Sequence, residues 1–125
     1  MYQIVHMCIR VMDLEKSLAF YRDAFGFEET RRKEFPEDAF SLVFISDADR
    51  NFEIELTYNY NPEKPYELGN GYSHLGIVVE DLEASHARHQ AMGYEVTKLM
   101  GLPNQAPRFY FIDDPDGYSI EVIRK

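Results

Sequence analysis

The sequence has little of what is typical of secreted, membrane-spanning or nucleic-acid-binding proteins. It contains one cysteine, Cys8, so no disulfide can form within the chain, as expected in a reducing cytoplasm. No apolar run approaches the roughly 20 residues of a membrane span, and no signal-peptide pattern opens the chain. Only 13 Lys and Arg residues oppose 22 Asp and Glu residues, and the net charge of −9 argues against a nucleic-acid partner. We therefore expect a cytoplasmic protein with neither a membrane nor a nucleic-acid partner.

What the chain does contain is an internal repeat. Its 125 residues, 45% of them hydrophobic, suffice for one domain with a core. The segment HMCIRVMDLEKS (6–17) returns 68 residues later as HLGIVVEDLEAS (74–85). Each copy reads as a strand that ends at an Asp suited to a helix N-cap, Asp13 or Asp81.

The helices that follow are expected to end at glycines, Gly26 and Gly93. In the first helix an apolar stripe is predicted, at Leu14, Leu18, Tyr21 and Phe25. The second helix is more polar, and its two histidines, His86 and His89, are expected on a solvated face.

Strand patterns fill the rest of each half. The predicted strands are SLVFI and FEIELTYN in the first half, and EVTKLM, RFYFI and YSIEVI in the second. Each half therefore has the order β-α-β-β-β, and the fold class is α+β, with two βαβββ modules forming curled mixed sheets. The modules span residues 1–60 and 72–125 of one domain, joined by a Pro- and Gly-containing linker, 61–71.

Strand alternation places one His and one Glu of each module on the face away from its helix. His6 and Glu55 alternate with the apolar residues of the first and last strands of their half, and His74 and Glu121 do so in the other. An unpaired carboxylate is costly to bury, so these glutamates require solvent or a partner. If the sheets curl toward each other, the four side chains converge in a metal site of two imidazoles and two carboxylates.

These motifs resemble the glyoxalase I family of the vicinal oxygen chelate superfamily. The resemblance runs from His6 to Glu121, and its most specific parts are IELTYN (54–59), YELG (66–69) and DPDGYSIEV (114–122). It implies paired βαβββ modules around a divalent metal, with the two histidines and two glutamates named above as ligands. It also implies a homodimer, whose site lies within one chain or is shared by two.

The reaction implied by the resemblance is the isomerisation of the hemithioacetal of methylglyoxal and a thiol, glutathione above all. The product is an S-2-hydroxyacyl thioester, formed through an enediolate. The resemblance implies that Glu121 is the general base and Glu55 its counterpart, although the repeat alone does not rank them. Arg10 and Asn59 match positions that hold the γ-glutamyl end of glutathione. The loop GLPNQAPRF lacks the lysine usual in the family, and Arg108 is its only cation, which leaves the thiol open.

Ligand chemistry favours nickel. Two imidazoles and two carboxylates leave two octahedral positions for water or substrate, an arrangement that nickel and cobalt accept more readily than tetrahedral zinc. The short chain also resembles the nickel-preferring bacterial form. Two alternatives stay open: another metalloenzyme of the superfamily, such as an epimerase, or a non-catalytic protein that binds small molecules, as drug-resistance members do.

Overall fold

Each copy of the repeat forms its own sheet, covered by one helix. A computed structural model describes all residues from Met1 to Lys125 and divides the chain into two units, Met1–Glu67 and Leu68–Lys125. The division falls within the segment 61–71. Both sheets are mixed and helices are few, which confirms the α+β class. Neither helix combines the length and the apolar character that crossing a membrane requires.

The first unit has the complete β-α-β-β-β order. Its elements are β1 (His6–Arg10), α1 (Leu14–Phe25), β2 (Glu28–Phe35), a 3-10 helix (Pro36–Asp38), β3 (Phe40–Ser46) and β4 (Glu53–Asn59). The strand order is β1-β4-β3-β2, with β1 parallel to β4 and the other pairs antiparallel. The core of this unit contains buried side chains from its sheet and from α1. They include Ile9, Val11, Phe20, Tyr21, Val43, Ile45, Ile54 and Leu56.

The second unit repeats this plan with one regular strand fewer. Its elements are β5 (His74–Val79), α2 (Leu82–Ala91), β6 (Phe109–Asp113) and β7 (Ser119–Arg124). The strand order is β5-β7-β6, again with the first strand parallel to the last. The buried apolar residues of this unit are Leu82, Tyr110, Ile112, Tyr118, Ile120 and Val122.

Both helices begin as the sequence predicts. The carboxylate of Asp13 accepts a hydrogen bond from the Lys16 N–H at 3.1 Å, and Asp81 accepts one from the Ala84 N–H at 3.0 Å. Each cap satisfies a backbone donor that the first helical turn leaves unpaired. Gly26 then ends α1 in the left-handed conformation, at φ 73°, which glycine adopts without steric cost.

The buried stripe of α1 is rotated from the predicted one. Of the four predicted residues only Tyr21 is buried, and the other three are partly exposed. The covered face is centred on Ser17, Phe20 and Ala24 instead. Because Ser17 and Ala24 are small, the helix backbone can approach the sheet most closely along this line.

The segment EVTKLM is not a regular strand, contrary to prediction. Residues 95–100 pair with β6 in two isolated bridges and not in a continuous ladder. The Thr97 carbonyl accepts a hydrogen bond from His86 Nε2 at 2.7 Å, and the Phe111 N–H donates to the Thr97 hydroxyl at 2.9 Å. Since α2 takes the carbonyl that a regular ladder would use, the ladder is interrupted here.

The expectation that His86 and His89 lie on a solvated face is wrong. Both are buried, and His89 has no exposed surface. The hydroxyl of Tyr110 joins His89 Nδ1 at 2.8 Å and Ser85 Oγ at 2.6 Å. Burial raises the pKa of the Tyr110 phenol. A helix with a polar sequence can therefore bury one face, because its histidines find hydrogen-bond partners there.

We predict that Tyr110→Phe lowers the free energy of unfolding by about 1–3 kcal/mol, because it removes the shared partner of the buried His89 and the partly buried Ser85. Urea denaturation followed by circular dichroism measures the change. Tyr2→Phe is the matched control, since Tyr2 is exposed and its hydroxyl lies in solvent. Equal stability of the two variants would contradict a structural role for this network.

Candidate functional site

Parallel pairing of the first and last strands brings His6 to Glu55. In the register of β1 and β4, His6 lies opposite Glu53 and Cys8 opposite Glu55. Glu55 is thus the diagonal neighbour of His6, on the same face of the sheet. His6 Nε2 lies 3.0 Å from Glu55 Oε2.

The second unit contains the same contact. In the register of β5 and β7, His74 lies opposite Ser119 and Gly76 opposite Glu121. His74 Nε2 lies 3.1 Å from Glu121 Oε2, again along the diagonal. Two independent sheets therefore hold an imidazole nitrogen and a carboxylate oxygen in the same geometry.

Both pairs are open to solvent at the imidazole and better covered at the carboxylate. The side chains of His6 and Glu55 are 37% and 13% exposed, and those of His74 and Glu121 are 34% and 22% exposed. The chain has no group of three or more His, Cys, Asp or Glu side chains placed to hold a metal ion. Each unit by itself thus supplies one pair of donor groups.

An aromatic ring supports each histidine, a feature that the sequence pattern did not single out. Phe44, opposite Glu55 in β3, meets the His6 ring edge-on with centroids 5.7 Å apart. Phe111, opposite Glu121 in β6, meets the His74 ring in the same way at 5.2 Å. The signal was available, because Phe-Ile-Ser (44–46) and Phe-Ile-Asp (111–113) lie 67 residues apart. Edge-to-face packing limits how far each imidazole can turn.

The guanidinium of Arg31 lies over the ring of Phe44, the residue that packs against His6. The Arg31 guanidinium lies 3.7 Å from the centroid of the Phe44 ring, and its Nη2 lies 3.1 Å from Glu53 Oε1. The hydroxyl of Thr30 also donates to Glu53. Hydrogen bonds from Arg31, then from Thr30, hold the pKa of Glu53 below its ordinary value. Glu53 therefore anchors Arg31 over Phe44, beside His6.

The two pairs differ in their immediate hydrogen-bond partners. Thr57 Oγ1 lies 3.4 Å from Glu55 Oε1 and 3.1 Å from Cys8 Sγ. In the second unit it is the imidazole that has an extra partner, because Ser73 Oγ lies 2.7 Å from His74 Nδ1. The repeat in sequence is thus not a repeat in every contact.

The three residues expected to bind substrate lie at different distances from the pairs. Arg10, at the end of β1, shares the face of His6 and is about 13 Å along the strand from it. Asn59 ends β4, donates from Nδ2 to the Tyr66 hydroxyl at 3.0 Å, and lines an open depression of about 530 Å³. Arg108 is exposed and immediately precedes β6, about 10 Å along the chain from Phe111, the residue opposite Glu121.

A mixed sheet in each unit and a duplicated His–Glu contact are consistent with the superfamily that the sequence matches. Residues 3–122 match the Glyoxalase/Bleomycin resistance protein/Dioxygenase superfamily, and the chain belongs to this superfamily. A lactoylglutathione lyase of Haemophilus influenzae is 40% identical over 124 residues, covering 97% of this chain and 91% of that protein. A probable lactoylglutathione lyase of Synechocystis sp. is 38% identical, covering 97% of this chain and 94% of that protein.

A solved structure narrows the class further. The trypanothione-dependent glyoxalase I of Leishmania major superimposes with a TM-score of 0.85 at 31% identity, covering 99% of this chain and 87% of that one. Within the superfamily, the chain is a glyoxalase I-like enzyme of the lyase class.

We predict that Arg31→Ala raises the pKa of the Glu53 carboxyl toward its ordinary value, because the variant loses the largest stabiliser of the ionised form. Carboxyl chemical shifts followed against pH by NMR measure the change. Because the pKa is lowered in the folded protein, the contribution of this ion pair is present at neutral pH and is lost as pH falls through that pKa. Arg32→Ala, which removes a partner of Glu29, is the control and should leave Glu53 unchanged.

Proposed function

We propose that this protein isomerises the hemithioacetal of methylglyoxal and a thiol to an S-2-hydroxyacyl thioester. The observation that carries the proposal is the His–Glu contact, which recurs with the same diagonal geometry in both units. The names of its bacterial relatives, which are lactoylglutathione lyases, support the same reaction. The substrate is thus a small carbonyl compound carried on a thiol.

Two imidazoles and two carboxylates, those of His6, Glu55, His74 and Glu121, are the donors that would hold a divalent metal ion. In each pair, Nε2 of the histidine lies 3.0 or 3.1 Å from Oε2 of the glutamate. Ligands at about 2.1 Å from an ion and on neighbouring octahedral positions are also about 3.0 Å apart. Each pair can therefore accept an ion without large movement of its two side chains.

Nickel is the ion that we favour, with cobalt or zinc as substitutes. Imidazole and carboxylate together suit nickel and cobalt in octahedral sites, whereas zinc prefers four ligands. When bound, the ion would supply positive charge beside the two vicinal oxygens of the substrate as negative charge develops there. We further propose a homodimer in the cytoplasm, where the exposed thiol of Cys8 stays reduced.

Glu121 is the residue that we assign as general base. Its carboxylate takes the proton from the hemithioacetal carbon, and the electron pair of the broken C–H bond remains on the substrate as an enediolate. The same carboxyl then returns the proton to the neighbouring carbon, and the hydroxyl proton of the hemithioacetal passes to the oxygen on that carbon. The reaction therefore has no net oxidation or reduction. One oxygen of Glu121 faces His74, and no hydrogen bond of the structure occupies the other oxygen. That second oxygen is the one available for the proton.

Arg10, Asn59 and Arg108 are the residues that we assign to the thiol part of the substrate. Arg10 ends β1 and Asn59 ends the adjacent strand β4. Both therefore lie at the same end of the first sheet, beyond the His6–Glu55 pair. A guanidinium and an amide suit the carboxylates and amides of a peptide-like thiol. Relatives differ in their thiol, since the Leishmania major enzyme depends on trypanothione. Glutathione is our first choice, and Arg108 is the cation that would select among thiols.

We predict that metal-stripped protein is inactive and that nickel restores turnover of methylglyoxal with glutathione. Thioester formation is measured by absorbance, with several thiols in parallel. His6→Ala and His74→Ala should each lose most bound nickel while keeping the fold, because both side chains lie on the face away from the helix-facing core.

Arg10→Ala should lower kcat/KM for the preferred thiol by about ten- to a hundred-fold, as expected for a lost charge-assisted hydrogen bond.

Exposed Lys16→Ala is the control for these variants and should behave as the parent protein. Full nickel occupancy in both histidine variants would contradict the proposed ligands. Binding of small molecules without turnover under any metal and thiol would instead indicate a non-catalytic binding protein.

We predict that Glu121→Gln lowers turnover per bound metal by about 10²–10⁴-fold, the usual loss on removing a general base. Glu55→Gln should weaken metal binding more and lower turnover per bound metal less. Both changes keep the side-chain size, so metal content and rate can be separated. Glu37→Gln, an equal charge change at an exposed residue, is the control. Near-parental turnover per metal in Glu121→Gln would transfer the base role to Glu55.

A further inference from the structure

The two modules carry the same His, Glu and Phe but different residues beside the glutamate. In β4 the residue two positions after Glu55 is Thr57. In β7 the residue two positions after Glu121 is Ile123. In the neighbouring parallel strand, Cys8 lies opposite Glu55, whereas Gly76 lies opposite Glu121. A polar pair in the first module is thus an apolar pair in the second.

In the first module the polar pair contacts the carboxylate. Cys8 Sγ lies 3.1 Å from Thr57 Oγ1, and Thr57 Oγ1 lies 3.4 Å from Glu55 Oε1. The thiol can donate to the hydroxyl while the hydroxyl donates to the carboxylate. The other oxygen, Oε2, faces His6. Both oxygens of Glu55 therefore have a partner, although the 3.4 Å contact is long for an O–H···O hydrogen bond and accordingly weak.

In the second module no donor takes this place. The Ile123 side chain lies over Gly76, and its Cδ1 is 3.5 Å from the position that a Cβ of residue 76 would occupy. An aliphatic group cannot donate a hydrogen bond to Glu121. The additional partner in this module belongs to the imidazole, because Ser73 Oγ lies 2.7 Å from His74 Nδ1, where the first module has the apolar Val5.

We propose that Thr57, supported by Cys8, is a positioning residue that holds Glu55 as a metal ligand, and that Ile123 with Gly76 leaves Glu121 able to take the substrate proton. This inference rests on the proposed function. A hydroxyl that donates to Oε1 of Glu55 restrains the plane of that carboxylate and competes with a substrate proton for the lone pairs of that oxygen. In Glu121, the oxygen that does not face His74 has no such donor. The neighbours of the two glutamates therefore assign their roles, although the glutamates themselves are equivalent in the repeat.

The test uses the full chain and exchanges the neighbouring residues. Thr57→Val keeps the shape and removes the donor, Thr57→Ser keeps the donor, and Ile123→Thr introduces a donor beside Glu121. Ile123→Val is the control for altered packing. For each variant, nickel affinity is measured on metal-free protein by competition with a chromophoric chelator, and kcat is measured per bound metal.

Thr57→Val should weaken nickel affinity by about three- to ten-fold, the range for one weak neutral hydrogen bond. Thr57→Ser should restore affinity to within about two-fold of the parent protein. Ile123→Thr should lower kcat per bound metal by about three- to ten-fold without weakening nickel affinity, and Ile123→Val should not. The split between affinity in one module and rate in the other is a result that general loss of structure would not produce.

Two results would overturn the inference. One is unchanged nickel affinity in Thr57→Val, and the other is undiminished kcat per bound metal in Ile123→Thr. Either result, with the parent protein active and binding nickel, removes the positioning role and leaves the proposed function standing. Absence of turnover and of nickel binding in the parent protein removes the proposed function and this role together.

Discussion

The parallel pairing of the first and last strands of each module is the constraint on which the rest of the structure depends. A parallel pair requires a crossover connection, and in each module the helix in that crossover covers one face of the sheet. The opposite face carries the histidine and the glutamate of each module. Within that face the register makes Glu55 the diagonal neighbour of His6, and Glu121 that of His74. If the last strand of a module shifted by one residue against its neighbours, its glutamate would point into the core. The site and the core therefore depend on the same register.

On this common plan the two modules have diverged in their cores. In α1 the buried Tyr21 lies at the position that corresponds to His89 in α2. His89 is also buried, and it is hydrogen-bonded to the Tyr110 hydroxyl. His86 takes the carbonyl of Thr97 and thereby interrupts the strand that would have completed the second sheet. The missing strand of the second module thus follows from a polar core. The duplicated site face does not depend on that strand, because β5, β6 and β7 carry all of its residues.

Much of the fold could be predicted from the sequence because its signals are local. Strand alternation, Asp N-caps and Gly stops depend on a few neighbouring residues, and the structure confirms the caps at Asp13 and Asp81. The predictions that were wrong concern long-range partners. The burial of His89 depends on a hydroxyl 21 residues away, and the interruption at Thr97 depends on a histidine 11 residues earlier. No local pattern distinguishes a histidine with a buried partner from one in solvent.

For the site, the sequence by itself determined that each module carries a histidine and a glutamate on the face away from its helix, because alternation and duplication are written in the residue order. Only the tertiary structure decided that the contact is diagonal, that Phe44 and Phe111 lie against the imidazoles, and that Thr57 contacts Glu55. The physical reason is that these contacts cross between strands. Their lengths depend on the register and twist of paired strands, and residue spacing along a single strand does not contain that information.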